Sequence, residues 1–134
     1  MVSLLSCQHS GPKATPEKIR IIAACDKFIA SFAAGQLTEA MLVLKQNSVI
    51  DSSAIDTMQA TINSQQESIF TSYGKFVSHE FVVERTVKDF VARRYYIVRF
   101  DKYILKFDFT LYNNGKTWTI TNFNYNDDLV ELLY

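Results

Sequence analysis

The stretch Tyr-Ile-Leu-Lys-Phe-Asp-Phe-Thr-Leu-Tyr, residues 103–112, decides the fold of this chain. Its odd-numbered positions, from Tyr103 to Leu111, are all aromatic or aliphatic, and the positions between them are mostly polar. A period of two residues is typical of a β-strand with one apolar and one polar face. Working outward from it, we predict four consecutive strands between residues 76 and 125, joined by short turns.

The predicted strands are Phe76–Val87, Phe90–Phe100, Tyr103–Tyr112 and Thr117–Tyr125. The strongest turn signal is Asn113-Asn114-Gly115, because Asn and Gly tolerate the positive φ that tight hairpins need. In the last strand, apolar residues are even-numbered at first and odd-numbered later. Either a bulge near Thr121-Asn122 shifts the phase, or both faces of that strand are covered.

Before residue 76 the apolar period is 3.6 residues, which predicts helices. We expect helix one from Thr15-Pro16 to about Ala34, a short helix with Leu37, Ala40, Met41 and Leu44 on one side, and helix three over about Ala54–Tyr73. The predicted fold is α+β, with three N-terminal helices packed on one face of a curved antiparallel four-stranded meander. We assign residues 15–126 to this one domain. The apolar tail, residues 127–134, should pack against the domain or a partner.

The amino-acid composition of the chain argues against several classes of function. With 134 residues and equal numbers of acidic and basic side chains, 14 of each, the chain has no net charge to attract nucleic acid. The two cysteines are too few for a disulfide framework, and no Cys/His cluster has metal-ligand spacing. No apolar run approaches the roughly 20 residues that span a bilayer. We therefore expect no nucleic-acid partner, no metal and no cofactor.

The segment Leu4-Leu5-Ser6-Cys7 resembles the lipobox of bacterial lipoproteins, whose cysteine becomes acylated. Only six residues precede Cys7, and they include no basic region and no full apolar region. Either the sequence begins within a longer signal, or the match is accidental. In the first case residues 1–14 are a signal remnant or flexible tether, and Cys7 carries the lipid of a periplasmic or cell-envelope lipoprotein. In the second case the protein is cytoplasmic.

Three segments carry a resemblance to a known superfamily: Phe32-Ala33-Ala34-Gly35-Gln36-Leu37-Thr38-Glu39-Ala40, Tyr73-Gly74-Lys75-Phe76, and Asn114-Gly115-Lys116-Thr117-Trp118-Thr119-Ile120. In these segments and in its layout, the chain resembles the nuclear-transport-factor-2-like superfamily, or cystatin-like cone. The resemblance implies a sheet wrapped around the helices, with a ligand pocket at the mouth and a homodimer through the outer sheet face. Short bacterial members with this layout, many of them lipoproteins, make the lipobox more credible.

An isomerase or dehydratase on this scaffold needs a general base and a proton donor in one cavity. The candidates that line a pocket are Asp26, Gln66, Tyr73, His79 and Tyr96, of which His79, Asp26 and Tyr96 are the catalytic candidates if the chain is an enzyme. For His79 we favour a partly buried, hydrogen-bonded side chain, for Asp26 a solvated one, and for Asp108 a cross-strand ion pair or contact with solvent. None of these residues forms a catalytic motif, and there is no phosphate loop or nucleophile elbow.

We therefore predict a noncatalytic domain that binds a small apolar ligand or a protein. A small-molecule isomerase or dehydratase is the first alternative, and a partner-specific inhibitor or immunity-type protein is the second.

Overall fold

The computed structural model describes residues 15–133. Its elements are α1 (Pro16–Ala33), α2 (Leu37–Asn47), α3 (Ser52–Ser68), a short 3-10 helix (Phe70–Tyr73), β1 (Phe76–Val87), β2 (Val91–Phe100), β3 (Ile104–Asn113), β4 (Trp118–Asn126) and α4 (Val130–Leu133). Three helices therefore precede a four-stranded antiparallel meander, which confirms the predicted α+β class.

The sheet is open, with strand order β1-β2-β3-β4. We call the face toward α1 the inner face and the opposite one the outer face. In β4, Ile120 pairs with Leu111 and Asn122 with Thr110, so Thr121 is an extra residue. This register shift confirms the bulge predicted near Thr121-Asn122 and explains the change of phase in the apolar pattern.

Helix α1 begins and packs as its sequence predicts. Thr15 is the N-cap, and its Oγ1 accepts a hydrogen bond from the Lys18 amide at 3.2 Å. The apolar side chains along one stripe of the helix are buried against the sheet: Ile21, Cys25, Phe28, Ile29 and Phe32. Burial also raises the pKa of the Cys25 thiol to about 12, so this cysteine is an inert core residue.

The third helix is shorter than predicted. It ends at Ser68, and the expected continuation to Tyr73 is wrong because Ile69 leaves the helical conformation at φ −120°. The chain then tightens into the 3-10 helix, which turns Phe70 inward and leaves Ile69 44% exposed. Gly74 follows with φ +86°, and a Cβ there would lie 2.8 Å from the Cβ of Asp101. Glycine is therefore required at this junction.

Aromatic side chains fill the space between the helices and the inner face. Phe28 lies 4.7 Å from Phe123 and 5.4 Å from Phe109, and Phe32 lies 4.8 Å from Phe107, as measured between ring centroids. These spacings are typical of packed aromatic pairs. The concavity under the sheet is thus occupied by core residues, and the clefts described next lie at its margins.

Candidate functional site

An open cleft of about 350 Å³ lies where the middle of α1 meets β1 and β2. The residues that line it are Asp26, Ile29, His79, Glu80, Phe81 and Tyr96. We call it the Asp26 cleft. It brings together three of the five residues that the sequence singled out, although they come from three different elements.

The Tyr96 hydroxyl donates a hydrogen bond to Asp26 Oδ1 at 2.5 Å. Asp26 lies at the exposed edge of α1, as expected, but its carboxylate also has this protein partner. Burial raises the pKa of Tyr96, and the hydrogen bond to Asp26 raises it further. The phenol therefore keeps its proton at physiological pH and acts as a hydrogen-bond donor rather than as an acid.

A chain of charged groups continues from Tyr96 along the seam between α1 and the sheet. Arg94 Nε donates to the Tyr96 hydroxyl at 3.1 Å, and Arg94 also donates to Glu84 at 2.8 Å. Glu84 in turn accepts from Lys18 Nζ at 2.9 Å. Burial alone would raise the pKa of Glu84, but the hydrogen bonds from Lys18 and Arg94 outweigh it and lower that pKa. The seam is therefore held by a satisfied network of alternating charges.

Sequence reasoning missed Glu84 and Arg94. Arg94 stands in the apolar alternation of β2 and is only 8% exposed, so it needs a counter-charge on a neighbouring strand. Glu84 supplies that charge because Val82 is an extra residue in β1, which turns Glu84 rather than Arg85 to the inner face. An arginine within an apolar strand pattern was the available signal.

His79 lies on the rim of the cleft and is exposed rather than partly buried. Its ring stacks on Phe76, with 6.2 Å between centroids and 25° between planes. The expected burial is absent because β1 is the edge strand of the sheet, and no residue of β1 is fully buried.

The other two candidates lie elsewhere. Tyr73 lines a second cleft, of about 260 Å³, at the C-terminal end of α3. There the Tyr125 hydroxyl donates to Gln65 Oε1 at 2.5 Å. Gln65 lines this cleft, whereas Gln66 lines neither of the two, because helical geometry turns these neighbours in directions about 100° apart.

The two edges of the sheet are covered to different extents. On the β4 side, the chain between α2 and α3 makes a parallel bridge: Ser48 pairs with Ile120, and the Val49 amide donates to the Ile120 carbonyl at 3.0 Å. On the β1 side, β2 is the only strand that pairs with β1 among the residues described. Large apolar side chains of β1 are exposed along its length: Phe76, Val77, Phe81, Val82 and Val87. The free edge of β1 is therefore long, and five of its twelve residues are exposed apolar side chains.

Near the middle of the outer face, charged side chains form ion pairs, one of them with Glu131 of α4. Glu131 of α4 accepts from Lys106 Nζ at 2.6 Å and from the Tyr95 hydroxyl at 3.0 Å. Arg93 Nε donates to Asp108 Oδ1 at 3.1 Å, which is the cross-strand ion pair expected for Asp108. The other Asp108 oxygen is buried without a hydrogen-bond partner among residues 15–133. Within residues 127–133 of the tail, Glu131 therefore contacts the sheet.

The chain matches no protein-family model, no curated protein and no solved structure. Within residues 15–133, no group of three or more His, Cys, Asp and Glu side chains could hold a metal ion. The helices in this part of the chain are all too short or too polar to cross a membrane. Cys7 lies outside the described residues, so its acylation stays a prediction.

Proposed function

We propose that this chain is a noncatalytic protein-interaction domain whose partner surface is the free edge of β1 together with the adjoining Asp26 cleft. The observation that carries the proposal is the exposure of β1, which is twelve residues long, has no fully buried residue and, within residues 15–133, pairs with β2 alone. An unpaired edge of this length is a template on which another strand can pair.

The chemistry of the edge fits the addition of a strand. An extended segment that pairs with β1 would gain main-chain hydrogen bonds, and its alternate side chains would face the two sides of the sheet. On the inner side they would meet Phe81, which is 47% exposed, and the Asp26 cleft. Arg94 packs 4.2 Å from the centroid of the Phe81 ring, which holds this aromatic surface in place.

An isomerase or dehydratase is the second candidate, because Asp26, Tyr96 and His79 line the same cleft. Two features favour the interaction domain. The Tyr96 hydroxyl already donates its hydrogen bond to Asp26, and Asp26, His79 and Phe81 are exposed, whereas such chemistry needs a free donor and a site that excludes water. The enzyme would be supported instead if a folded His79→Ala protein lost a turnover that the unaltered protein has.

We also propose membership of the nuclear-transport-factor-2-like superfamily and attachment to the cell envelope through Cys7. The first is supported by the element order and by the open sheet that follows three helices. The second is supported by the four residues of the lipobox pattern. An inhibitor or immunity-type protein would also use a protein-interaction surface. A different protein bound at the β1 edge would indicate that role.

The proposed surface can be tested by photo-crosslinking in the cells that produce the protein. A benzoylphenylalanine at Val82, at the free edge, should form a discrete crosslinked species. The same residue at Tyr112, which is 44% exposed on β3, is the matched control and should not. An absence of crosslinks from Val82 above the level at Tyr112 would overturn the proposal.

A further inference from the structure

We propose that the occupant of the β1 edge is a second copy of this chain, paired antiparallel to β1 about a two-fold axis between Val82 and Val83. The two sheets would then join into one eight-stranded sheet. The proposal rests on the proposed interaction function and names its partner.

The bulge in β1 makes this register possible. Before it, Ser78 and Glu80 lie on the outer face opposite Arg99 and Ile97, while His79 and Phe81 lie on the inner face. After it the phase is shifted by one residue, and Val83, Arg85 and Val87 lie on the outer face. Around the axis between Val82 and Val83, residue 80 meets residue 85 of the second copy, and residue 79 meets residue 86.

Each of these pairs joins residues of the same face, which a sheet requires of directly opposed residues. In a strand of uniform phase, residues 80 and 85 would lie on opposite faces. The shift at Val82 therefore removes the mismatch and lets residues 78–81 of each copy pair with residues 84–87 of the other.

The charges match in this register. Glu80 of each copy lies directly opposite Arg85 of the other, so the two-fold axis creates two outer-face ion pairs. The contacts that Glu80 and Arg85 make within one chain are weak, so they compete little with these ion pairs. Glu80 pairs with Arg99 at 3.3 Å, with both side chains more than half exposed. In the part of the chain that the structure describes, Arg85 donates to a main-chain oxygen, that of Glu131, at 3.1 Å. Moving the pairing by one residue in either direction would place residue 80 against a residue of the wrong face.

The assembly would also be closed. A two-fold pairing uses the same edge on both copies, so both β1 edges are consumed. The outer edges of the joined sheet would be the two β4 strands, where the Ser48–Val49 segment already bridges Ile120. We therefore expect a dimer and no further growth.

Sedimentation equilibrium of the purified full chain tests the proposal. The unaltered protein should approach twice its chain mass of 15.4 kDa as its concentration rises into the micromolar range. Glu80→Arg or Arg85→Glu alone places like charges opposite each other twice, and should weaken the dimer at least about tenfold. The double exchange of Glu80→Arg with Arg85→Glu should restore it. Glu39→Arg on α2, with the same change of charge on another exposed surface, should leave the dimer unchanged.

Amide hydrogen exchange provides a second measurement. Alternate amides of residues 78–87 should become protected as the concentration rises, because those that point to the free edge gain partners. A monomer at all concentrations, or a dimer that is indifferent to both single charge changes, would overturn the proposal. If Val82 crosslinks to a different protein in cells while the purified chain stays monomeric, this inference fails and the interaction function stands. If Val82 forms no specific crosslink, both this inference and the proposed interaction function fail.

Discussion

At the centre of β3, the two faces of the sheet bury side chains of opposite character. On the inner face of β3, Phe107 and Phe109 are fully buried among aromatic rings. On the outer face of the same strand, Lys106 is 1% exposed and Asp108 is fully buried among ionic partners. The alternation in β3 thus separates apolar from charged residues, but it does not separate buried from exposed ones. Burial of the charged face depends on the chain returning over it with a matching carboxylate.

The largest expected effect belongs to the inner face. Phe107→Ala removes a ring that packs against Phe32 at 4.8 Å and leaves a cavity between helices and sheet. We expect the free energy of unfolding, measured by urea denaturation, to fall by about 3–5 kcal/mol. Phe90→Ala, in an exposed position between β1 and β2, should change it by no more than about 0.5 kcal/mol. Equal losses in the two proteins would contradict an aromatic core on one face only.

Much of this inner face could be predicted from the sequence, because local patterns specify it. The alternation in residues 103–112 and the stripe of α1 identified both surfaces of the core. The phase change near Thr121 was also visible in the sequence. In β1, by contrast, the bulge at Val82 leaves no comparable mark, and an unbroken alternation would put Arg85 on the face where Glu84 lies.

The site and the outer face depended on tertiary contacts that no local pattern carries. The sequence singled out Gln66, whereas Tyr125 approaches its neighbour Gln65. His79 was expected among apolar neighbours, but β1 is an edge strand and lacks a full covering of helices. The contact of Glu131 with Lys106 joins residues 25 apart in sequence, across a turn and a whole strand.

The next effect tests the outer face. Glu131→Gln keeps the shape of the side chain but removes the negative charge opposite the buried Lys106 ammonium. Hydrogen bonds to charged groups contribute about 1.5–3 kcal/mol, and Glu131 is partly exposed, so we expect a loss of about 1–2 kcal/mol at neutral pH. Glu39→Gln, on the exposed side of α2, is the matched control and should have little effect. If the two variants unfold alike, α4 contributes nothing to covering the sheet.

The same pair of proteins gives a pH dependence with a definite sign. The hydrogen bonds from Lys106 and Tyr95 lower the pKa of Glu131 below its ordinary value of 4.5. A carboxylate with a lowered pKa in the folded state stabilises it above the unfolded-state pKa, and the contribution is lost as the pH falls through the folded pKa. The stability difference between the unaltered protein and Glu131→Gln should therefore be constant at neutral pH and shrink below about pH 4.5. A difference that grows on acidification would contradict the ionic contact.

The smallest effect concerns Tyr96, one of the polar residues on the inner face. Tyr96→Phe keeps the ring, which packs 5.7 Å from Phe109, and removes only the hydroxyl between Asp26 and Arg94. Because Asp26 can turn to water and Arg94 keeps Glu84, we expect a loss of only about 0.5–1 kcal/mol in urea denaturation at neutral pH. The raised pKa of Tyr96 also predicts how the contribution of its hydroxyl to stability changes at high pH. The contribution is complete below pH 10, the ordinary pKa of tyrosine, and declines above it, because the unfolded chain then releases the proton more readily than the folded one. A stability difference that persists undiminished well above pH 10 would mean that the hydroxyl acts through packing rather than through its proton.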